Sequence, residues 1–366
     1  MKIEAIGIIG SNAAACSAAR LFASSGLQVR VCDGFRSGLR MASAKISWAL
    51  TRAGKADTFG NIEFVQSCEK LSGADLIVEC QPAGEEERLL MLKKHLAAAS
   101  AQTIILLSCA DAPVSDIADR LDAPERFAGL GLSGFDTDLL ELARTDKTSD
   151  ATADTLVSFF KGLGKNPVVA HDVPGLIVER LRRPFIAGAL HLMEKGKGRP
   201  HEIDAIVGDY VKAAGPFAMA DIVGLDNDLR RSLMIYQRLG SPERLKPSPV
   251  EDRLVQYGYC GRRTDAGFYL YENGVIVGEN PFLSDFVPYL GISAVNRDEV
   301  LAGTLGPVIS EARLLAAESL LSEFDVDFSL RHAFGWAKGP FGLARELEHL
   351  LADRAANTND TWGDAV

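Results

Sequence analysis

The residues whose types and spacing could do chemistry lie first in the stretch Ile3–Asp33. Gly10-Ser11-Asn12-Ala13-Ala14-Ala15 follows the apolar run Ile3–Ile9 and opens the Ala-rich stretch Ala13–Ser25. Gly26 closes that stretch, and a second apolar run, Leu27–Cys32, ends at Asp33. Strand, glycine turn, helix, strand and acid in this order form a dinucleotide-binding unit. Gly10 permits the tight turn. Ser11, Asn12, Ala13 and Ala14 then line the start of a helix whose free N–H groups and positive dipole end face a pyrophosphate. Asp33 stands 23 residues after Gly10, near the ~20 at which an acid grips the adenine ribose. That acid repels a 2′-phosphate, so the cofactor read from it is NAD rather than NADP, with Arg36 close by as the opposing charge. The middle glycine of the usual pattern is Asn12, a residue that tolerates left-handed backbone but whose side chain needs room.

The other reactive residue types give weaker signals. Cys16, Cys32, Cys68, Cys80, Cys109 and Cys260 show no metal-ligand spacing, and several fall in apolar runs, so they read as reduced, mostly buried thiols. His171 sits at a strand end, and His191 and His201 sit on helical patterns where packing or solvation explains them. The net charge of −10, without a long block of Lys or Arg, argues against a nucleic-acid partner. No signal peptide precedes the first strand and no apolar run approaches a membrane span, which predicts a cytoplasmic protein with no membrane partner.

The elements that must position these residues change character along the chain. Up to Asp172, strand-like and helix-like runs alternate: a helix over Gly38–Gly54, strands at Ile62–Val65 and Ala74–Cys80, and a helix over Gly84–Ala99. Strands at Thr103–Leu107, Phe127–Leu132, Leu139–Ala143 and Pro167–Ala170 follow, with helices at Val114–Leu121 and Asp150–Gly162 between them. Such alternation predicts a Rossmann-like, doubly wound and mostly parallel sheet covered on both faces. Beyond Asp172-Val173-Pro174-Gly175 the pattern is helical, over Leu176–Lys195, Pro200–Ala214 and Asp221–Leu239, with a small hairpin near Phe268–Val277. Gly215-Pro216-Phe217-Ala218-Met219-Ala220 recurs 124 positions later as Gly339-Pro340-Phe341-Gly342-Leu343-Ala344, and Pro184 and Asp204 recur 123 positions later as Pro307 and Asp327. The prediction is a dinucleotide-binding domain over 1–172 and two all-α repeat domains over 173–278 and 279–366.

With these motifs assembled, the chain resembles the L-3-hydroxyacyl-CoA dehydrogenase family over nearly its whole length. Gly10 with Asp33, Asp172–Leu176, Gly215–Asp226 and Gly261–Tyr269 are its most specific likenesses. The duplicated helical part is similar to that of bifunctional fatty-acid oxidation proteins. The resemblance implies NAD as cofactor, a CoA thioester as the small-molecule substrate, and oxidation of a 3-hydroxyl with a His–Glu pair taking the proton. It places Gly131 at the family's His and Glu141 at the partner Glu. Glu179 stands where the family has Asn, and Arg88 where it often has a cofactor-side Lys. Gln81, at the end of the strand before Arg88, joins the cofactor candidates. No His lies between His95 and His171, so no shift of alignment restores the pair. Glu141 and Glu179 are therefore the candidate catalytic carboxylates, with a salt bridge from Glu179 to Arg180, Arg182 or Arg183 as the plainer reading. Three readings follow: an oxidoreductase with altered active-site chemistry, a silent homologue that still binds a dinucleotide or CoA thioester, and a structural partner. The second helical copy is predicted to pair with the first inside one chain, giving a monomer.

Overall fold

The computed structural model describes residues 2–357 apart from 82–84, 98, 110–112, 132–134, 136, 289, 292 and 320. It divides into two compact units, Met1–Leu176 and Ile177–Val366. The first is built on β1 (Ala5–Ile9), α1 (Ala13–Ser24), β2 (Gln28–Cys32), α2 (Arg36–Arg52), β3 (Ile62–Val65) and β4 (Leu76–Glu79). It continues with α3 (Glu85–Leu96), β5 (Ile104–Ser108), α4 (Ser115–Ala118), β6 (Phe127–Leu130), β7 (Leu139–Arg144), α5 (Asp150–Gly162) and β8 (Asn166–His171). The strands stand side by side in the order β3-β2-β1-β4-β5-β6-β7-β8.

Parallel pairing holds from β3 through to β6, β7 runs antiparallel to β6, and β8 is parallel to β7. The strand order reverses between β1 and β4, and the crevice at their carboxyl ends is where such sheets take ligands. α1 lies close on the sheet because it buries small residues, Ala15, Ala18, Ala19 and Ala23, around one large one, Phe22. The Phe22 ring packs edge-on to Phe135 at 5.5 Å between centroids and lies beside Phe159 and Phe160. Of the cysteines, Cys16, Cys80, Cys109 and Cys260 are free thiols, whereas Cys32 is disulfide-bonded, which corrects the reading of it as reduced.

The second unit contains α6 (Val178–Glu194), α7 (Pro200–Val211), α8 (Pro216–Val223), α9 (Leu225–Arg238) and α10 (Pro249–Gln256). The hairpin of β9 (Tyr269–Glu272) and β10 (Val275–Glu279) follows, then α11 (Leu283–Phe286), α12 (Arg297–Ser319), α13 (Glu323–Phe334) and α14 (Pro340–Asn357). Gly224, at φ 93°, breaks the single helix predicted over Asp221–Leu239 into α8 and α9. The boundary between the units falls after Leu176 rather than at Asp172. The Asp172 carboxylate is held in the first unit by the N–H groups of Val114 and Ser115, at 3.0 and 2.7 Å.

The stretches predicted as two separate helical domains form one unit, and the proposed cut at 278/279 falls inside β10. The reason is that α6 and α12 bury one another. A Cβ on Gly188 would lie 2.4 Å from the Gly303 carbonyl oxygen. Arg180 Nε meets Glu311 Oε1 at 2.6 Å, both side chains fully buried. α12 is long and apolar enough to cross a membrane, contrary to the reading that no run approaches a span. Its most apolar window is 72% buried, and Glu311 sits in its middle, so it is built as a core helix of this unit. Gly215 and Gly339 open α8 and α14 in the same way. The Asp204 carboxylate accepts the Phe217 and Ala218 N–H groups, and the Asp327 carboxylate accepts those of Phe341 and Gly342. A Cβ on either glycine would lie 2.5 Å or less from the Cα of its aspartate.

Candidate functional site

The turn after β1 supplies the first part of the site. Gly10 adopts φ 111°, and its N–H donates to the Cys32 carbonyl at 2.8 Å. A side chain there would need left-handed backbone and would press on the Cys80–Gln81 peptide at 3.4 Å. Ala13 and Ala14 are exposed in the first turn of α1. Asn12 does not use the left-handed freedom expected of it: φ is −73° and ψ −175°. It is the N-cap of α1, with Oδ1 accepting the Ala15 N–H at 3.0 Å and Nδ2 donating to the Cys80 carbonyl. Ser11 Oγ donates to Asp33 Oδ2 at 2.5 Å, and the Phe35 N–H donates to Asp33 Oδ1 at 2.8 Å. The sequence gives no fixed-spacing signal for the Ser11 contact or for Gly38, whose Cβ would fall 2.5 Å from Ser11 Oγ.

Two cofactor candidates sit at the carboxyl end of β4. The Gln81 N–H donates to Glu79 Oε1 at 2.8 Å. Arg88, expected to keep a positive charge on the cofactor side, spends that charge on a buried acid. Its guanidinium is buried, pairs with Glu79 Oε2 at 2.5 Å and donates to the Ser108 carbonyl at 3.0 Å. Glu79 is fully buried, and an ionised carboxylate so placed demands a cationic partner. Burial pushes the Glu79 carboxyl up from its ordinary value, and the Arg88 charge pulls it back down.

Gly131 and Glu141 lie face to face just beyond the paired ends of β6 and β7. The Gly131 N–H donates to the Glu141 carbonyl at 2.9 Å. A Cβ on Gly131 would lie 2.6 Å from Glu141 Cβ and 2.7 Å from Glu141 Oε2. The Glu141 side chain thus fills the volume a side chain at 131 would use, and it is 1% exposed. In the second unit, the buried Glu179 pairs with Arg182, and Arg231 Nη1 stands 3.8 Å away. Arg182 also meets Asp228 at 2.9 Å. Arg180 and Arg183 turn to other acids, Glu311 and Glu251. His171 ends β8, and His201 meets Glu279 at 2.7 Å on the surface.

Residues 5–173 match the family model for the NAD binding domain of 3-hydroxyacyl-CoA dehydrogenase, and residues 175–271 match that for its C-terminal domain. The chain belongs to the 3-hydroxyacyl-CoA dehydrogenase family. A probable 3-hydroxyacyl-CoA dehydrogenase of Caenorhabditis elegans is 31% identical over 74% of this chain and 94% of its own length. A 3-hydroxybutyryl-CoA dehydrogenase of Bradyrhizobium diazoefficiens is 28% identical over 74% of this chain and 96% of its own. The crystal structure of 3-hydroxybutyryl-CoA dehydrogenase from Escherichia coli shares the fold, with a TM-score of 0.86 at 20% identity over 100% of this chain and 97% of that one.

NAD is the family's cofactor, and its binding domain is the first unit of this chain. The donor types present are those such a cofactor needs: Gly10 makes the turn, Ala13 and Ala14 leave the start of α1 exposed, and the Asp33 carboxylate follows directly on β2.

Proposed function

We propose that this chain is an NAD-dependent oxidoreductase acting on a CoA thioester, with Glu141 in the place of the family's His–Glu pair. The contact between Gly131 and Glu141 carries this reading. It puts an ionisable oxygen 2.7 Å from where a side chain at 131 would begin. NAD held at the turn of Gly10 and at Asp33 would supply the hydride acceptor for the carbon bearing the hydroxyl. The hydroxyl proton needs a base, and the Glu141 carboxylate is set against the position the family gives to that base. Carboxylate is a weaker base than imidazole, so turnover is slower than in a His-bearing relative, by part of the ~10²–10⁴ that a positioned general base contributes. The substrate class follows from the Bradyrhizobium relative, whose name is 3-hydroxybutyryl-CoA dehydrogenase. Glu179, paired with Arg182, serves as a buried anchor of the α6 first turn rather than as a second base.

A silent homologue that binds NAD or a CoA thioester without turnover is favoured by one observation, the 1% exposure of Glu141. Measuring 3-hydroxybutyryl-CoA oxidation beside NADH binding separates the two. Binding with slow, Glu141-dependent turnover supports the oxidoreductase, and binding with none supports the silent homologue.

The later helical repeat, with α12 to α14, takes the place of a partner subunit. The contacts of α6 with α12 support this. Arg180 meets Glu311 while Gly188 meets Gly303, and Gly303 and Glu311 stand 123 positions beyond Arg180 and Gly188. Exchange of contacts under one offset is the mark of a two-fold interface. The chain is accordingly a monomer across this face.

A further inference from the structure

We propose that Ser11 and Asn12 occupy the ligand positions of the dinucleotide turn with their own side chains, so that NAD binds this chain by displacing them. The proposal rests on the first unit being the NAD site. Such a turn holds a dinucleotide by N–H groups of the first helical turn on a phosphate oxygen and by an acid on a ribose hydroxyl. Both interactions are already made within the chain. Asn12 Oδ1 accepts the Ala15 N–H at 3.0 Å, as a phosphate oxygen would. Asn12 Nδ2 donates to the carbonyl of Cys80, just past the end of β4, so the amide lies across the crevice between β1 and β4. Ser11 Oγ donates to Asp33 Oδ2 at 2.5 Å, as a ribose hydroxyl would. The other oxygen, Asp33 Oδ1, accepts the Phe35 N–H at 2.8 Å, and Asp33 is 8% exposed. α2 closes over the pair, since a Cβ on Gly38 would lie 2.5 Å from Ser11 Oγ.

A glycine at position 12 leaves this space open for the pyrophosphate, which is its role in the usual pattern. With Asn12 and Ser11 the turn satisfies itself. Cofactor binding then exchanges hydrogen bonds instead of adding them, and affinity is lowered by what the two side chains contribute. Asp33 becomes available to a ribose when Ser11 turns away, and the helix N-terminus becomes available when Asn12 does.

The test is calorimetric titration of the full chain with NADH, for wild type, Ser11→Ala, Asn12→Ser and Asn12→Gly. Ser11→Ala removes the hydroxyl from Asp33 without touching the helix cap. Asn12→Ser keeps a capping oxygen and loses the reach to Cys80, which guards against a folding defect in Asn12→Gly. The expected result is tighter NADH binding, about fivefold for Ser11→Ala and for the folded Asn12→Ser variant and more for a folded Asn12→Gly, given a net contribution of about 1 kcal/mol per hydrogen bond. Wild type binding NADH while Ser11→Ala and Asn12→Ser bind no tighter would overturn the displacement proposal and leave the NAD site standing. Folded wild type and variants that all fail to bind NADH would overturn both.

Discussion

The space beside position 131, which the resemblance gives to an imidazole, holds the Glu141 carboxylate, and the turn at position 12 holds an amide where the usual dinucleotide pattern has a glycine. Both changes were visible as letters; their consequences were not. Gly10 and Asp33 could be read because their spacing encodes backbone geometry within one strand–turn–helix–strand unit. The Asn12 contact depends on a carbonyl 68 residues away, and the burial of Arg88 depends on Glu79 being sealed at the end of β4. Neither fact has a local signature. At this scale the account predicts that NADH binds more tightly than NADPH, because the Asp33 carboxylate repels a 2′-phosphate. Replacing Asp33 with Ala should narrow that preference in the same titration, because the charge that repels the 2′-phosphate is removed. An unchanged preference would place the ribose elsewhere.

Among the elements, α8 and the β9–β10 hairpin are tied by one buried side chain. Asp221 accepts the Phe268 and Tyr269 N–H groups, both at 2.9 Å, and the Tyr271 hydroxyl at 3.1 Å. Burial pushes its carboxyl up to about 7, against the pull of those donors. Asp204, beneath the same hairpin, is pushed up to about 6 by burial. These folded-state values are raised above the ordinary 3.8. The stability carried by the protonated forms is therefore complete below that value and is lost as pH rises through about 6 and about 7. In denaturant unfolding from about pH 5 to about pH 8, the stability of wild type relative to Asp221→Asn should fall, and a difference that stays flat or rises would contradict this. Asp221→Ala, which strands two buried N–H groups and a hydroxyl, should cost about 3 kcal/mol or more in the same assay. The sequence placed the helices and the hairpin within a few residues because their periodicity and glycines are local. It missed the reversal of β7 and the break at Gly224, since strand direction and a helix kink are decided by packing partners distant in the chain.

Seen whole, the molecule joins an NAD-binding unit to a helical unit that contains the Gly-Pro-Phe turn twice. The family model covers residues 175–271 of the helical part, and Arg345 replaces the counterpart of Asp221 124 positions on, so the later copy keeps the packing anchors without that acid. If it serves as a built-in partner subunit, truncation beyond the hairpin, after α11 ends at Phe286, should expose the α6 face around Gly188 and Leu192. The shortened chain should then dimerise or aggregate in sedimentation. A truncated chain that remains monomeric and equally stable would show that the second copy does not protect that face. The central claim concerns the proton acceptor, and the rate of NAD-dependent 3-hydroxybutyryl-CoA oxidation by wild type and Glu141→Gln tests it most directly. The account predicts slow, saturable turnover in wild type and a further loss of ~10²-fold or more in Glu141→Gln, with NADH binding unchanged. Rapid turnover in wild type, or turnover indifferent to Glu141→Gln, would contradict it.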